Sequence, residues 1–417
     1  MRGHILKVLI IHPYRNKSST EFGIMSFGLI STANYLTSIG FDVKGINFPL
    51  EYSFGFTEDK FVQLIKNFNP DIALVSLHWY EFFLGAIEIS EIIKSNINGA
   101  KIVLAGLTAK LLSNYLLDNF KNIDYIINST YELQNLLIYL GYDLDFKKAK
   151  KNNYTNISWL NHSTEYYKLN IFGYKYSNIN SFWIPVGSGC LYNCSYCGGS
   201  RNVHTKVFGN NGFSQRTMDE ICSDVKILKK YNIDEICFSH DIEFLKNMIT
   251  LIDFLKSINI EYYYETFQLP SDGLINKLND KFRIGITAIS GNESLRYQEG
   301  KIYSNKKLLN TLQLLASKNI NVDLFFTLNV IGDNYNKFEE TIELARTIRK
   351  YNNVSLYCMP YFQSEIASNR WVESGMTIEK TVNILKGYLL SQDKDQYFEN
   401  KYQDINIKKK LWKKYID

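Results

Sequence analysis

Cysteine is absent from the first 189 residues, proline occurs only 6 times in 417, and no apolar run reaches membrane-spanning length. Each scarcity excludes something. A secreted disulfide scaffold would spread its cysteines along the chain, whereas here all six lie at or after position 190: Cys190, Cys194, Cys197, Cys222, Cys237 and Cys358. Without the roughly 18–20 consecutive apolar residues that a bilayer requires, no spanning helix is expected. The N-terminus is basic and then apolar, but Lys7 interrupts the stretch and Pro13 ends it. A buried first strand is therefore expected rather than a signal peptide, with a cytoplasmic location. Charge of one sign is also lacking. Lys+Arg total 47 against Asp+Glu 42, a net +5 too mild to argue for nucleic acid. What remains is an ordinary folded composition, long enough for two or three domains.

The first part alternates β-branched runs with amphipathic stretches. Strands are expected at 6–12, 42–47, 71–77, 101–105 and 123–127, with helices at 24–39, 58–67, 82–95, 109–119 and 131–140. Five such repeats predict a doubly wound parallel sheet over residues 1–145, with its ligand crevice at the carboxyl ends of the strands. Residues 146–181 start basic and polar (Phe146-Lys147-Lys148-Ala149-Lys150-Lys151) and show little periodicity, so they read as a linker. A second series follows over residues 182–362. Strands are expected at 182–186, 235–239, 261–266, 283–289, 323–330 and 355–359, alternating with helices. Six β/α units of this size predict a partial barrel, with reactive groups on loops at the strands' C-terminal ends. Residues 363–417 read as a helical segment whose lysine-rich end is a solvated amphipathic helix.

The chemistry concentrates in Gly187-Ser188-Gly189-Cys190-Leu191-Tyr192-Asn193-Cys194-Ser195-Tyr196-Cys197-Gly198-Gly199, directly after the first strand of the second series. Three thiols spaced C-x3-C-x2-C on one loop can converge on a single metal centre, and soft thiolates select iron–sulfur clusters or zinc. A structural zinc site wants four ligands, and no neighbouring Cys or His stands at finger-like spacing. Three ligands on a four-iron cube leave one iron open, as a catalytic cluster needs.

This loop resembles that of the radical S-adenosylmethionine superfamily. The resemblance implies that Cys190, Cys194 and Cys197 hold a [4Fe–4S] cluster whose open iron chelates S-adenosylmethionine, which one electron cleaves to a 5′-deoxyadenosyl radical. It further implies that Tyr196 lies near the adenine and that Gly198 and Gly199 let backbone approach the methionine amine. In Ser239-His240-Asp241-Ile242-Glu243-Phe244, Asp241 falls where relatives receive the substrate's ammonium, with His240 in place of a first acidic residue. Ser290, in Ser290-Gly291, is implied near the ribose or carboxylate, and Arg296 as a carboxylate partner. Ile331 and Gly332 correspond to the turn beneath adenine.

A five-strand α/β domain ahead of such a barrel is similar to the cobalamin-binding subclass. His12, Ser76, His78, Gly106, Thr108 and Ser129 then stand at the strand ends that would cradle the corrin. No Asp-x-His-x-x-Gly motif supplies a cobalt-ligating histidine. Methylthiotransferases would need cysteines in the N-terminal domain, and there are none, so one cluster is expected. Cys222 and Cys237 read as core packing. The implied function is methylation of an unactivated carbon in a small molecule or natural-product precursor, with an external one-electron reductant such as flavodoxin or ferredoxin. The alternatives are a radical rearrangement, cyclisation or oxidation without methyl transfer, with an N-terminal domain that binds no corrin, and, more remotely, an iron–sulfur sensor that binds nucleic acid. In the barrel, strand alternation allows either Tyr263 or the pair Tyr262 and Tyr264 to face inward.

Overall fold

The computed structural model describes residues 5–17, 19–20, 27–128, 130–142, 181–197, 199–209, 212–230, 233–360, 378–391 and 404–416. Residues 146–180 of the expected linker and the residues Ser129 and Gly198 lie outside them, while Ser181, expected as the linker's last residue, opens a strand. The chain divides into two compact units, one of residues 1–179, 205–210 and 376–390, the other of residues 180–204, 211–375 and 391–417.

The first unit contains β1 (Lys7–His12), β2 (Asp42–Asn47), β3 (Ile72–Ser76), β4 (Lys101–Ala105) and β5 (Tyr125–Ile127). They form one sheet in the order β2-β1-β3-β4-β5, with every pairing parallel. All five residues of β3 are buried, as a strand covered by helices on both faces demands. Helix boundaries follow local chemistry. The Thr57 side chain accepts the Lys60 N–H to start Glu58–Phe68, and Asn69 turns left-handed at φ 50 to end it before Pro70. The stretch expected as one helix over 109–119 is two, Leu107–Leu111 and Ser113–Asn119, and a short helix, Phe48–Ser53, follows β2. The helix Ile378–Leu390 belongs to this unit. There Tyr388 accepts a 2.7 Å bond from Arg15 Nη2 of the loop after β1, whose guanidinium also lies 5.5 Å from its ring.

The second unit carries β6 (Ser181–Ile184), β7 (Gly187–Gly189), β8 (Phe213–Gln215), β9 (Glu235–Phe238), β10 (Glu261–Thr266), β11 (Phe282–Ile289), β12 (Asn321–Thr327) and β13 (Val354–Met359). Six of them form a parallel sheet in the order β13-β12-β11-β10-β9-β6, and β7 pairs antiparallel with β8 in a small separate sheet. The fold is the expected α/β pair: a doubly wound sheet, then six β/α strands in sequence order. One face of each strand meets the helices. Tyr262 and Tyr264 are fully buried there, and the Tyr262 hydroxyl donates to Leu255 O at 3.1 Å. Tyr263 therefore faces the other way, edge-on to Trp183 at 5.8 Å.

The C-terminal helix Ile405–Tyr415 is not the freely solvated element its lysines suggested. Lys408 is 1% exposed and Trp412 6%, with Trp412 packed 5.8 Å from Phe326. Among the described residues no helix is long and apolar enough to cross a membrane.

Candidate active site

The cysteine loop is pinned from several sides. Asn193 and Asn202 close its base, with Asn202 N–H donating to Asn193 Oδ1 at 2.9 Å and Asn193 Nδ2 returning a 3.1 Å bond. Ser195 Oγ donates to Glu299 Oε2 at 2.6 Å and lies 3.2 Å from Gln298 O. Gly300 lies against Cys194 at φ 85, where an added Cβ would stand 3.1 Å from the cysteine Cα. Only glycine combines that backbone angle with so close an approach.

All three cysteines are free, and Cys190 and Cys194 are buried. Burial raises each thiol's pKa, that of Cys197 to about 11, because a low-dielectric surrounding disfavours the thiolate. Two backbone N–H groups work against this, Tyr192 N donating to Cys190 Sγ at 3.4 Å and Gly199 N to Cys197 Sγ at 3.3 Å. Each thiol feels at least one of the others. Buried thiols near one another, with N–H donors and a buried cation close by, suit an anionic cluster that supplies its own positive iron. Among the described residues no group of three or more His, Cys, Asp or Glu side chains is arranged to hold a single metal ion.

The cation is Lys301, a residue that no local pattern in the sequence marks out. It is 3% exposed, and its Nζ donates to Phe267 O at 2.7 Å. Burial lowers its pKa, while Cys194, Cys197, Asp241 and Glu265 act to hold the proton. Lys301 Nζ also stands 5.9 Å from the Tyr196 ring. Asp241 is 3% exposed rather than a surface carboxylate. Its oxygens accept Glu243 N–H at 3.0 Å and Phe267 N–H at 2.9 Å, yet burial still pushes its pKa up to about 6. Cys194, Cys197, Asp241 and Lys301 thus share one electrostatic neighbourhood.

Tyr196 packs on Ile289, Leu295 and Val330, an apolar cluster at the ends of β11 and β12. Ile331 beside it is 47% exposed, and Gly332 takes φ 79. Ile289 itself has φ 67, a left-handed conformation strained for a β-branched residue, and the β11–β12 register shifts between Thr287 and Ile289.

Ser290 and Arg296 are brought together, but by one another. Arg296 is fully buried and donates to Ser290 O through Nε at 3.0 Å and Nη2 at 2.6 Å, to Tyr303 O at 3.1 Å, and to Asn305 Oδ1. Ser290 Oγ accepts Asn292 N–H at 3.1 Å and lies 3.3 Å from Thr341 Oγ1. Both side chains brace the loop after β11, and the guanidinium has little left for a carboxylate.

In the first unit the order β2-β1-β3 puts a topological switch point between the ends of β1 and β3. Ser76 is buried at the end of β3, and Thr108 clamps the next loop, its Oγ1 donating to His78 O at 2.9 Å. Gly106, at φ 123, lets the loop after β4 touch the His78 backbone. His78 lies edge-on to Trp79, which is 51% exposed at this edge. His12 is placed differently: 1% exposed, with its ring against Phe82 at 4.6 Å.

Residues 184–345 match the family model of the Radical SAM superfamily. The fold is similar to the radical S-adenosylmethionine methyltransferase TsrM from Kitasatospora setae, solved with cobalamin and a [4Fe–4S] cluster bound (TM-score 0.63, 13% identity, covering 85% of this chain and 72% of that one). A second TsrM structure, with tryptophan substrate and aza-SAM, matches at TM-score 0.63 and 12% identity, over 84% and 72% of the two chains. The cobalamin-dependent radical enzyme OxsB, solved with aqua-cobalamin and S-adenosylmethionine, matches at TM-score 0.59 and 13% identity, over 91% of this chain and 56% of that one. At these identities the structures establish the fold.

Proposed function

We propose that the radical S-adenosylmethionine domain at residues 184–345 works with cobalamin on the N-terminal unit to methylate an unactivated carbon of a small molecule. The carrying observation is the cysteine loop, three free thiols held by Ser195–Glu299 and by Gly300 beside the buried Lys301. Cys190, Cys194 and Cys197 would hold the [4Fe–4S] cluster. Asp241 would accept the ammonium of S-adenosylmethionine, a charge-assisted bond. Lys301, rather than the fully engaged Arg296, is the cation available to its carboxylate. Tyr196, with Ile289, Val330 and Ile331, would flank the adenine. On the N-terminal unit, Ser76, His78, Gly106 and Thr108 would border the corrin, while His12, buried against Phe82, would stay out of contact with it.

When bound, the cluster supplies the electron that cleaves the sulfonium, and the corrin supplies a transferable methyl group. The chain's own share is positional. It places Lys301 beside the cysteines, holds Asp241 by two N–H bonds, and presents the inner face of the six-stranded sheet to the substrate. The cobalamin bound in TsrM and OxsB supports the corrin reading, and the tryptophan of TsrM supports a small-molecule substrate. An external one-electron reductant such as flavodoxin or ferredoxin completes the scheme, which fits a reducing cytoplasm.

The test is anaerobic reconstitution with iron, sulfide and hydroxocobalamin, followed by iron and corrin quantification and product analysis after reduction. Methyl transfer yields S-adenosylhomocysteine together with 5′-deoxyadenosine and a stoichiometric corrin. Deoxyadenosine without either would point to a rearrangement instead, and a zinc-filled loop without S-adenosylmethionine cleavage would overturn the radical reading.

A further inference from the structure

The inner face of the barrel is set by a chain of contacts. Arg283 on β11 lies over the Tyr263 ring at 4.4 Å, donates to Glu235 on β9 at 2.7 Å, and pairs with Asp323 on β12. Since successive strand residues alternate faces, Glu265, Gly285, Phe325, Tyr357 and Met359 share that inner side. The opposite side is closed against helices, with Tyr264, Ile284, Leu324 and Phe326 at most 1% exposed.

Glu265 stands out on this face. Solvent reaches it, yet enough protein surrounds it that burial raises its pKa. Oε1 accepts a 3.3 Å bond from the Tyr263 hydroxyl, and the ammonium of Lys301 acts on the carboxylate from the cysteine side. The residue in register on β11 is Gly285, where a Cβ would come within 2.4 Å of the Tyr263 hydroxyl and 2.9 Å of Glu265 Cγ. The neighbouring strand thus gives up its side chain so that the carboxylate and phenol can occupy the interior. The wall two strands away is apolar. Phe325 stacks on Tyr357 at 5.1 Å and 19°, and Tyr357 and Met359 remain 41% and 47% exposed. Glu235 and Asp323, the other inner carboxylates, are already paired with Arg283. Among the described residues Glu265 makes no ion pair within 4 Å, and the Lys301 ammonium acts on it only at longer range.

We propose that Glu265 is the specificity determinant for the substrate, pairing with the protonated amine of a small molecule whose aromatic or aliphatic body lies on Phe325, Tyr357 and Met359. An ammonium hydrogen-bonded to a carboxylate is a charge-assisted pair, stronger than the bond a neutral isostere can make there. The inference rests on reading the barrel interior as the reaction chamber.

The test compares binding of tryptamine with tryptophol, and of hexylamine with hexanol, to the anaerobically reconstituted full chain by calorimetry. The amines are expected to bind at least about tenfold more tightly than their alcohols. Glu265→Gln, which keeps the acceptor for Tyr263, is expected to bring each pair within about twofold, and Glu265→Asp to retain part of the preference. Equal binding of amine and alcohol by the wild type would overturn the proposal, as would a preference surviving in Glu265→Gln. A matching loss of S-adenosylmethionine affinity in Glu265→Gln would assign the carboxylate to the cofactor and overturn it too. S-adenosylmethionine cleavage, followed in the same wild-type preparation, separates failure of this site from failure of the radical chemistry.

Discussion

Replacing Lys408 by methionine isolates one buried charge. Its ammonium lies 2.8 Å from Asp333 Oδ2, 2.8 Å from Asp404 Oδ2 and 3.2 Å from Leu328 O, and 5.5 Å from the Phe338 ring. The Asp333 side chain is 1% exposed, so water cannot take the ammonium's place, and the Asn334 N–H at 3.0 Å is what remains. Asp404, 39% exposed, contributes at most about 1 kcal/mol. Breaking a buried pair by removing one partner costs about 3–5 kcal/mol, because the other charge is left uncompensated. For a unit of this size each kcal/mol moves the thermal midpoint by about 2–4 °C, so the loss is roughly 6–20 °C. The pH dependence has a definite sign. Burial holds the Asp333 pKa above its ordinary value even with Lys408 present. The folded state therefore binds that proton more tightly than the unfolded one, and this carboxyl's contribution falls as pH rises through its folded pKa. Without Lys408 the folded pKa rises further, so the deficit of Lys408→Met should widen as pH rises through the folded pKa. Thermal unfolding by circular dichroism of Lys408→Met, Asp333→Asn and the double variant measures this. The double variant should recover most of the loss, since no charge remains unpaired. A loss below about 1 kcal/mol, or a double variant no better than Lys408→Met, would refute the reasoning.

Cys194→Ala removes one of the three thiols, and we expect a folded protein that does not cleave S-adenosylmethionine; retained cleavage by chromatographic assay would sink the cluster assignment. With the Asp241 pKa at about 6, S-adenosylmethionine affinity should fall as pH drops from 7 to 5. Asp241→Asn should bind about ten- to a hundredfold more weakly at pH 7 and lose that pH dependence in equilibrium binding, the loss of a hydrogen bond to a charged group. Lys301→Met deletes the one cation that, among the described residues, acts on both Cys194 and Asp241, so S-adenosylmethionine affinity should fall by about tenfold or more and the cluster potential should move negative. An unchanged potential in redox titration would mean that the ammonium does not sense the cluster.

The fold was legible because its signals are periodic. Five and then six β-branched runs spaced by amphipathic helices mark the two parallel sheets, and the observed strands fall on the expected ones to within a few residues. What periodicity could not show was short or non-local. The helix Phe48–Ser53 depends on the Asn47 side chain accepting the Leu50 N–H, and β7 and β8 are three residues each, joined across the cysteine loop. The loop itself was visible because three thiols within eight residues form a local pattern. Its supports were not, since Ser195 reaches Glu299 and Cys194 meets Gly300 a hundred residues away in sequence.

Charge was the hardest property to read, because a lone Lys, Arg or Glu looks alike in a sequence whether it braces a loop or meets a ligand. Arg296 lies beside Ser290 and so resembles a ligand-binding arginine, but its N–H groups are consumed by the Ser290 and Tyr303 carbonyls and by Asn305. Lys301, five residues on, follows the glycine that the close approach to Cys194 requires. That constraint delivers its ammonium to the interior, toward Cys194, Cys197 and Asp241. The same logic separates the two ends of Arg283. Its pairing with Glu235 and Asp323 neutralises the inner carboxylates nearest it, and among the described residues Glu265 on β10 makes no such ion pair. The division of labour between structural and functional charges is therefore set by which partners the parallel register brings into contact.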